Sequence, residues 1–300
     1  MISLIVHGGA WNIPDEALNA HREGVAKALM IGWDVLRSGG SSVDAVEHSL
    51  RCLEDDGTFD AGCGSHFNSG GKVELDASIM DGKTFRCGAV GAVQRVKNPI
   101  SLARKIMEKS EHILLVADGA EQFAAENGIS CCDPADLRSA REVARWESIK
   151  AKEGFTTKMA FGSHPSDTVG VVALDQDGNL CAGTSTGGTL NKHPGRIGDS
   201  PLIGCGTYCD NASGGVSTTG WGEGMIKVVM AKTVVDYMEL NGGNAQEAAE
   251  RGVAHLKSKV DGLGGVIALN PAGGFGVAFN TPRMARAYMS SLLSEPVVAV

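Results

Sequence analysis

Glycine constrains this chain more than any other residue type. There are 41 glycines in 300 positions, and they form no low-complexity repeat. They stand beside short apolar runs, in "HGGA", "AGCGS", "STGGT", "IGCG", "SGGVSTTGWGEG" and "GLGGV". Lacking a Cβ, glycine permits tight turns and lets the backbone come close to a ligand. So many glycine-framed turns predict a sheet protein whose strand ends converge on a site.

The hydropathy pattern agrees. Strand-like runs cover residues 4–6, 73–79, 87–93, 168–174, 180–184, 215–218, 264–269 and 275–279. Helical periodicity fits 17–36, 42–53, 100–108, 117–126, 134–153, 224–240 and 246–257. Ser41 or Ser42 is placed to cap the second helix, and Asn98-Pro99 reads as a stop before the third. The elements come in blocks, which argues against a regular alternating β-α-β sheet. The class expected is α+β, with helices layered outside packed sheets. A hydrophobic content of 43% supports a sizeable core, in one large domain or two small ones. Residues 151–167 are the most polar non-repetitive stretch and read as an exposed, mobile linker.

Charge and targeting signals narrow the function. The net charge of −8 is spread without a block of like sign, which disfavours nucleic acid and anionic membranes as partners. The opening "MISLIVHGGAW" has no basic segment and no long apolar core, so no signal peptide is expected. No apolar run reaches the roughly 18 residues of a membrane span. The eight cysteines are scattered and fit no zinc spacing; they read as reduced, mostly buried thiols with a cytoplasmic address. Asn211 in "NAS" matches a glycosylation sequon, read as chance in that setting.

Familiar chemistries are missing. There is no G-x-G-x-x-G, no P-loop, no H-E-x-x-H and no G-x-S-x-G, and the histidines are dispersed. What stands out is three hydroxyl-rich segments, "SDTVG", "GTSTGG" and "STTGWGEG", each at the start or end of a strand-like run. Strand propensity alone explains any one of them, because Thr is a good strand residue. Between them lies "GRIGDSP", where Arg196 and Asp199 can offer opposite charges to a zwitterion, carboxylate to Arg196 and ammonium to Asp199. The competing reading of that pair is a local surface ion pair.

"HGGA", "FDAGCGS", "ELDASIMDG", "SDTVG", "TSTGG", "NKHPGRIGDSPLIG", "STTGWGE" and "FNT" follow one another across nearly the whole chain. In this order they resemble the plant-type (type III) L-asparaginase and isoaspartyl peptidase family of N-terminal-nucleophile (Ntn) hydrolases. The resemblance implies a four-layer αββα sandwich, a precursor that cuts itself, and an (αβ)2 homodimer of processed units. Residues 1–167 would form the α-subunit and 168–300 the β-subunit. It implies hydrolysis of L-asparagine and of β-aspartyl peptides, with glycosylasparaginase-like specificity, or a non-catalytic uncleaved binding protein, as the alternatives. No cofactor is implied as a requirement.

The seam at Asp167-Thr168 then has a chemical meaning. A Thr hydroxyl is a weak nucleophile and needs a base. A free α-amine, which ordinarily titrates at about 7.7–8.0, can be that base, whereas the amide nitrogen of an internal residue cannot. Cutting between Asp167 and Thr168 creates the base. By match to the family's motifs, Thr168 resembles the nucleophile and Thr186 the hydroxyl that orients it. Thr219 and the Gly220 amide resemble the oxyanion hole. Arg196 and Asp199 resemble the clamps on substrate carboxylate and ammonium, with the Gly222 carbonyl on the same ammonium. Gly188 resembles the turn below the nucleophile, and His7 with Gly8 and Gly9 a loop beside the cleavage junction. The loop from Leu53 to Cys63 resembles one that wraps a sodium ion with backbone carbonyls. Two residues depart from the pattern. Asp167 stands where many asparaginase-type members have Gly, and Asp60 stands where many have an Asn near the nucleophile. An ionised acid there disfavours negative charge nearby.

Overall fold

The glycine-flanked runs become strands in a computed structural model that describes residues 1–150 and 168–300. The linker expected at 151–167, and Asp167 with it, lie outside the described residues. In chain order the strands are β1 (Ser3–Trp11), β2 (Leu75–Asp81), β3 (Cys87–Val93), β4 (Leu114–Val116), β5 (Val169–Leu174), β6 (Leu180–Thr186), β7 (Thr207–Asp210), β8 (Gly214–Gly220), β9 (Gly264–Leu269), β10 (Phe275–Phe279), β11 (Arg283–Ser290) and β12 (Val297–Ala299). The helices are α1 (Leu18–Arg37), α2 (Ser42–Glu54), α3 (Pro99–Lys109), α4 (Ala117–Glu126), α5 (Ala140–Lys150), α6 (Gly222–Val228), α7 (Met230–Leu240) and α8 (Ala245–Val260). No helix among the described residues is long and apolar enough to cross a membrane.

Two sheets form, so the structure is mixed α and β. One is eight-stranded, in the order β12-β11-β1-β5-β6-β2-β3-β4; the other is four-stranded, β10-β9-β8-β7. Neighbours are antiparallel except β3 and β4, which run parallel. The connection between those two passes through α3, a local crossover that the blockwise reading did not anticipate. Helices α1, α2 and α3 pack on the larger sheet, α7 and α8 pack on the smaller, and the two sheets pack on each other through β1, β2, β5 and β6 against β7, β8 and β9.

Period-two alternation sorts each strand between its two neighbours. Along β5, Val169, Val171 and Ala173 enter the core under the helices, while Val172 and Leu174 enter the core between the sheets. Each of these buried valines, and Leu174, contributes about 1.5–3 kcal/mol. Thr168 shares the parity of Val172 and therefore faces the smaller sheet. The same count places His7 with Ile5, Ser78 with Met80, Thr184 and Thr186 with Ala182, and Thr207 with Cys209 on that inner layer. The space between the sheets is thus aliphatic at one end and lined by hydroxyls and an imidazole at the other.

Two helix expectations need correction. Residues 134–153 do not form one helix: a 3-10 turn at Pro134–Leu137 precedes α5, which begins at Ala140. The run 224–240 is broken at Val229, whose φ of 48° is left-handed. Ser41, rather than Ser42, caps α2, its hydroxyl accepting the Asp44 N–H at 3.1 Å.

Candidate active site

Thr168 is 6% exposed at the entry to β5, and its hydroxyl donates to Thr186 Oγ1 at 3.0 Å. Thr186 Oγ1 also accepts the Gly188 N–H at 2.9 Å. Gly188 is left-handed, φ 81°, and that turn aims its amide back at Thr186. Behind β5, the His7 ring hydrogen-bonds the Thr168 backbone. Its Nε2 lies 3.0 Å from Ser217 Oγ, and the Gly9 N–H donates to Nδ1 at 3.4 Å. Burial drives the imidazole pKa down to about 3, against that backbone bond, so His7 is neutral. With Nδ1 accepting, the proton sits on Nε2.

The charged pair lies at the other side of the turn. A Cβ at Gly188 would stand 3.4 Å from Arg196 Nη1, and one at Gly222 would stand 2.9 Å from both Arg196 Nη2 and Asp199 Oδ1. Only glycine lets the backbone pass this close. Arg196 and Asp199 are not a local ion pair: Arg196 forms a fork on Glu223, with Nε and Nη2 at 2.9 and 2.8 Å from its carboxylate oxygens. Asp199 Oδ2 accepts from Thr218 Oγ1 at 2.7 Å. Burial raises the Asp199 pKa to about 6, although the Thr218 hydroxyl and Arg196 pull against it. Next along β8, Thr219 is fully buried and its hydroxyl has no hydrogen-bond partner among the described residues. Gly220 has φ 146°, and a Cβ there would press on the Leu263 carbonyl at 2.5 Å.

These contacts close on themselves. They run from Thr168 through Thr186, Gly188, Arg196, Gly222, Asp199 and Thr218, then by Ser217 and His7 back to Thr168. One ring thus holds a nucleophile candidate, a guanidinium and a carboxylate, and Thr219, with its spare hydroxyl, follows Thr218 directly. A surface cavity of about 790 Å³, lined by Arg95, Glu121 and Cys131 among others, contains none of them. The chemistry, not the cavity size, locates the site. A family model described as asparaginase matches residues 1–298. The chain belongs to the asparaginase family.

Its relatives within that family are similar over nearly their whole length. The isoaspartyl peptidase/L-asparaginase of Bos taurus is 45% identical over 282 residues, 94% of this chain and 91% of the relative. The Homo sapiens protein of the same name is 45% identical over 271 residues, 90% and 87% of the two chains. The plant-type L-asparaginase of Pyrococcus horikoshii is 42% identical, with 100% of each chain covered.

Around Asp60, which the sequence singled out, the structure adds partners that motif reading missed, and Lys192 was missed with them. Asp60 is buried, its Oδ1 accepts the His66 N–H at 2.8 Å, and its carbonyl accepts the Gly187 N–H at 2.9 Å. That places it beside the residue following Thr186. Burial alone would depress the His66 pKa, but the carboxylates of Asp60 and Glu142 raise it to about 9. Glu142 Oε2 is 2.6 Å from the His66 ring, and Arg141 and Arg145 flank its other oxygen. The acid at position 60 is therefore matched by a buried imidazolium. Lys192, fully buried, donates from Nζ to the Glu74 carbonyl at 2.9 Å and lies 3.9 Å from Asp76 Oδ2. The Glu74 carboxylate in turn accepts the Gly195 N–H, fixing the turn before Arg196. No spacing rule links Asp60 to His66 or Glu142, or Lys192 to Asp76.

The loop from Leu53 to Cys63 was expected to wrap sodium. A Cβ at Gly62 would press on the Glu54 carbonyl, and one at Gly64 on the carbonyls of Phe59 and Gly57. Backbone carbonyls of this kind, crowded against two glycines in one loop, are the donor type that a hard cation takes.

Proposed function

We propose that this protein is a threonine amidohydrolase that hydrolyses L-asparagine to L-aspartate and ammonia and cleaves β-aspartyl (isoaspartyl) peptides, after cutting itself between Asp167 and Thr168. The observation that carries the proposal is the Thr168–Thr186 hydroxyl pair, at 3.0 Å, facing the Arg196 and Asp199 charges across glycine backbone. The fold is read as the four-layer αββα sandwich of Ntn hydrolases, and the chain as residues 1–167 and 168–300 held in one globular unit.

In maturation, Thr168 Oγ attacks the carbonyl carbon of residue 167, and the peptide nitrogen leaves as the α-amine of Thr168. Water opens the resulting ester and leaves residue 167 with a carboxylate. In turnover the substrate α-carboxylate takes Arg196 and its ammonium takes Asp199 and the Gly222 carbonyl. That arrangement brings the β-amide to Thr168. The neutral α-amine accepts the hydroxyl proton as Oγ bonds to the amide carbon. The Thr219 hydroxyl and the Gly220 N–H donate to the oxyanion, and Thr219 is free to do so. Collapse expels ammonia or the peptide amine, which takes the proton from the α-ammonium. Water, deprotonated by the same amine, then releases aspartate. Lowered far below neutrality, His7 orients the nucleophile strand and is not the base.

A sodium ion in the loop, held by the carbonyls of Glu54, Gly57 and Phe59, would stiffen the segment that carries Asp60; no step of turnover passes through it. The processed units are proposed to pair as (αβ)2, in the cytoplasm, where all eight cysteines would stay as the free thiols found here. The test is a substrate panel on cleaved protein: L-asparagine, a β-aspartyl dipeptide and a glycosylated asparagine. Hydrolysis of the first two is expected. Preference for the third would reassign the specificity, and no hydrolysis by fully cleaved protein would defeat the proposal.

A further inference from the structure

Between two packed sheets the expected filling is aliphatic, and in this molecule it is so around Ile5, Val172, Leu180 and Ile267. Toward the site the layer changes to His7, Ser217, Thr184, Thr207 and Ser78, all 0% exposed. Five buried polar groups oppose folding unless they are bonded, and these bond to one another. Ser217 Oγ lies 3.0 Å from His7 Nε2 and 2.7 Å from Thr184 Oγ1. Thr207 Oγ1 donates to Thr184 Oγ1 at 2.5 Å, and Ser78 Oγ is 2.9 Å from Thr207 Oγ1. The row ends on two carbonyls: Thr184 donates to Gly206 O at 3.0 Å, and Ser78 to Ser200 O at 2.6 Å.

Its two ends are the informative part. One end is His7, bonded to the backbone of Thr168. The other holds Ser200, which follows Asp199 directly, and Gly206, whose carbonyl also accepts the Thr218 N–H at 2.9 Å. Thr184 is the hub, touching three partners while standing on the same inner face as Thr186. The row therefore ties the backbone of the nucleophile to the loop that carries the ammonium-binding carboxylate.

We infer that this buried hydroxyl row fixes the distance between Thr168 and Asp199, so that Ser217, Thr184, Thr207 and Ser78 are positioning residues that set selectivity for an amide one carbon away from the carbon bearing the α-ammonium. The inference rests on the proposed amidohydrolase reading. A substrate gains from Asp199 only if its ammonium and its scissile carbonyl match that fixed separation. Asparagine does; succinamate, its analogue without the amine, gains nothing; glutamine is one methylene too long.

The test uses Thr184→Val, which keeps shape and removes the hydroxyl, and Thr184→Ser, which keeps the hydroxyl, both assayed as cleaved protein with rates per intact site. For Thr184→Val, kcat/KM for asparagine should fall about tenfold, mostly through KM, the scale of one positioned hydrogen bond. Its value for succinamate should hold, and discrimination against glutamine should narrow. Thr184→Ser should restore the asparagine value. If Thr184→Val does not mature, Thr207→Val carries the same expectation. Equal losses for asparagine and succinamate, or no loss for either, would overturn the inference. A wild-type cleaved protein that hydrolyses neither amide would overturn both the inference and the amidohydrolase reading beneath it.

Discussion

At Thr219 a fully buried hydroxyl stands without a hydrogen-bond partner among the described residues, an expensive state unless something arrives to accept its proton. Thr219→Val should therefore cost little stability but lower kcat by about 10²–10³-fold, the loss typical of one oxyanion donor, with KM for asparagine nearly unchanged. Asp199 gives a second residue-scale consequence, in pH. Its pKa is raised to about 6, and only the ionised form attracts an ammonium. As pH falls below about 6 the clamp is protonated, so kcat/KM for asparagine should drop while that for succinamate shows no such limb. Parallel pH profiles for the two amides check this. The sequence singles out Thr168, Thr186 and Thr219 because each sits in a short motif at a strand end, and Arg196 and Asp199 because glycines frame them in the loop between β6 and β7. Glu223, which holds the Arg196 fork, and the His66–Glu142 pair were not legible, since their partners are distant in sequence and only the fold brings them together.

Elements with a glycine at or just outside a boundary were readable, as β9, β10 and α4 are, and β3 was readable from its apolar run alone. β11 was missed because "RMARAYMS" carries two arginines and no valine or isoleucine, although β1 and β12 hold it in the sheet. β4, β7 and β12 are too short for alternation to register. The break between α6 and α7 was invisible for a different reason. No glycine or proline marks Val229; instead the first amides of α7 are taken by loop carbonyls, Ala231 N–H on Cys205 O at 3.1 Å and Lys232 N–H on Gly204 O at 2.8 Å. Tertiary bonding thus holds a β-branched residue at φ 48°. Val229→Asn, which tolerates that backbone better, should stabilise the protein by about 1 kcal/mol, read from the urea midpoint at constant slope.

For the whole molecule, buried ionisable groups determine how stability responds to pH. His66 has its pKa raised from 6.5 to about 9, so its contribution is complete below 6.5 and is lost as pH rises through 9. Burial raises Glu54 from 4.5 to about 8, despite the bond from Ser185; the native state holds a proton there that the unfolded chain has released, so stability falls from pH 4.5 to 8. Glu142, which burial would raise, is instead lowered to about 2 by His66 and its arginines, and its contribution is lost only as pH falls below 4.5. Together these three contributions are greatest near pH 4.5, and the thermal midpoint they set declines from there toward pH 9. Glu54→Gln should flatten that decline between pH 5 and 8. Conversion of an internal threonine into a terminal nucleophile and its own base is checked by N-terminal sequencing of purified protein active on asparagine. A second sequence beginning Thr168-Val169-Gly170, present in proportion to activity, is expected. An active preparation in which Thr168 still sits inside an uncut chain would contradict that conversion.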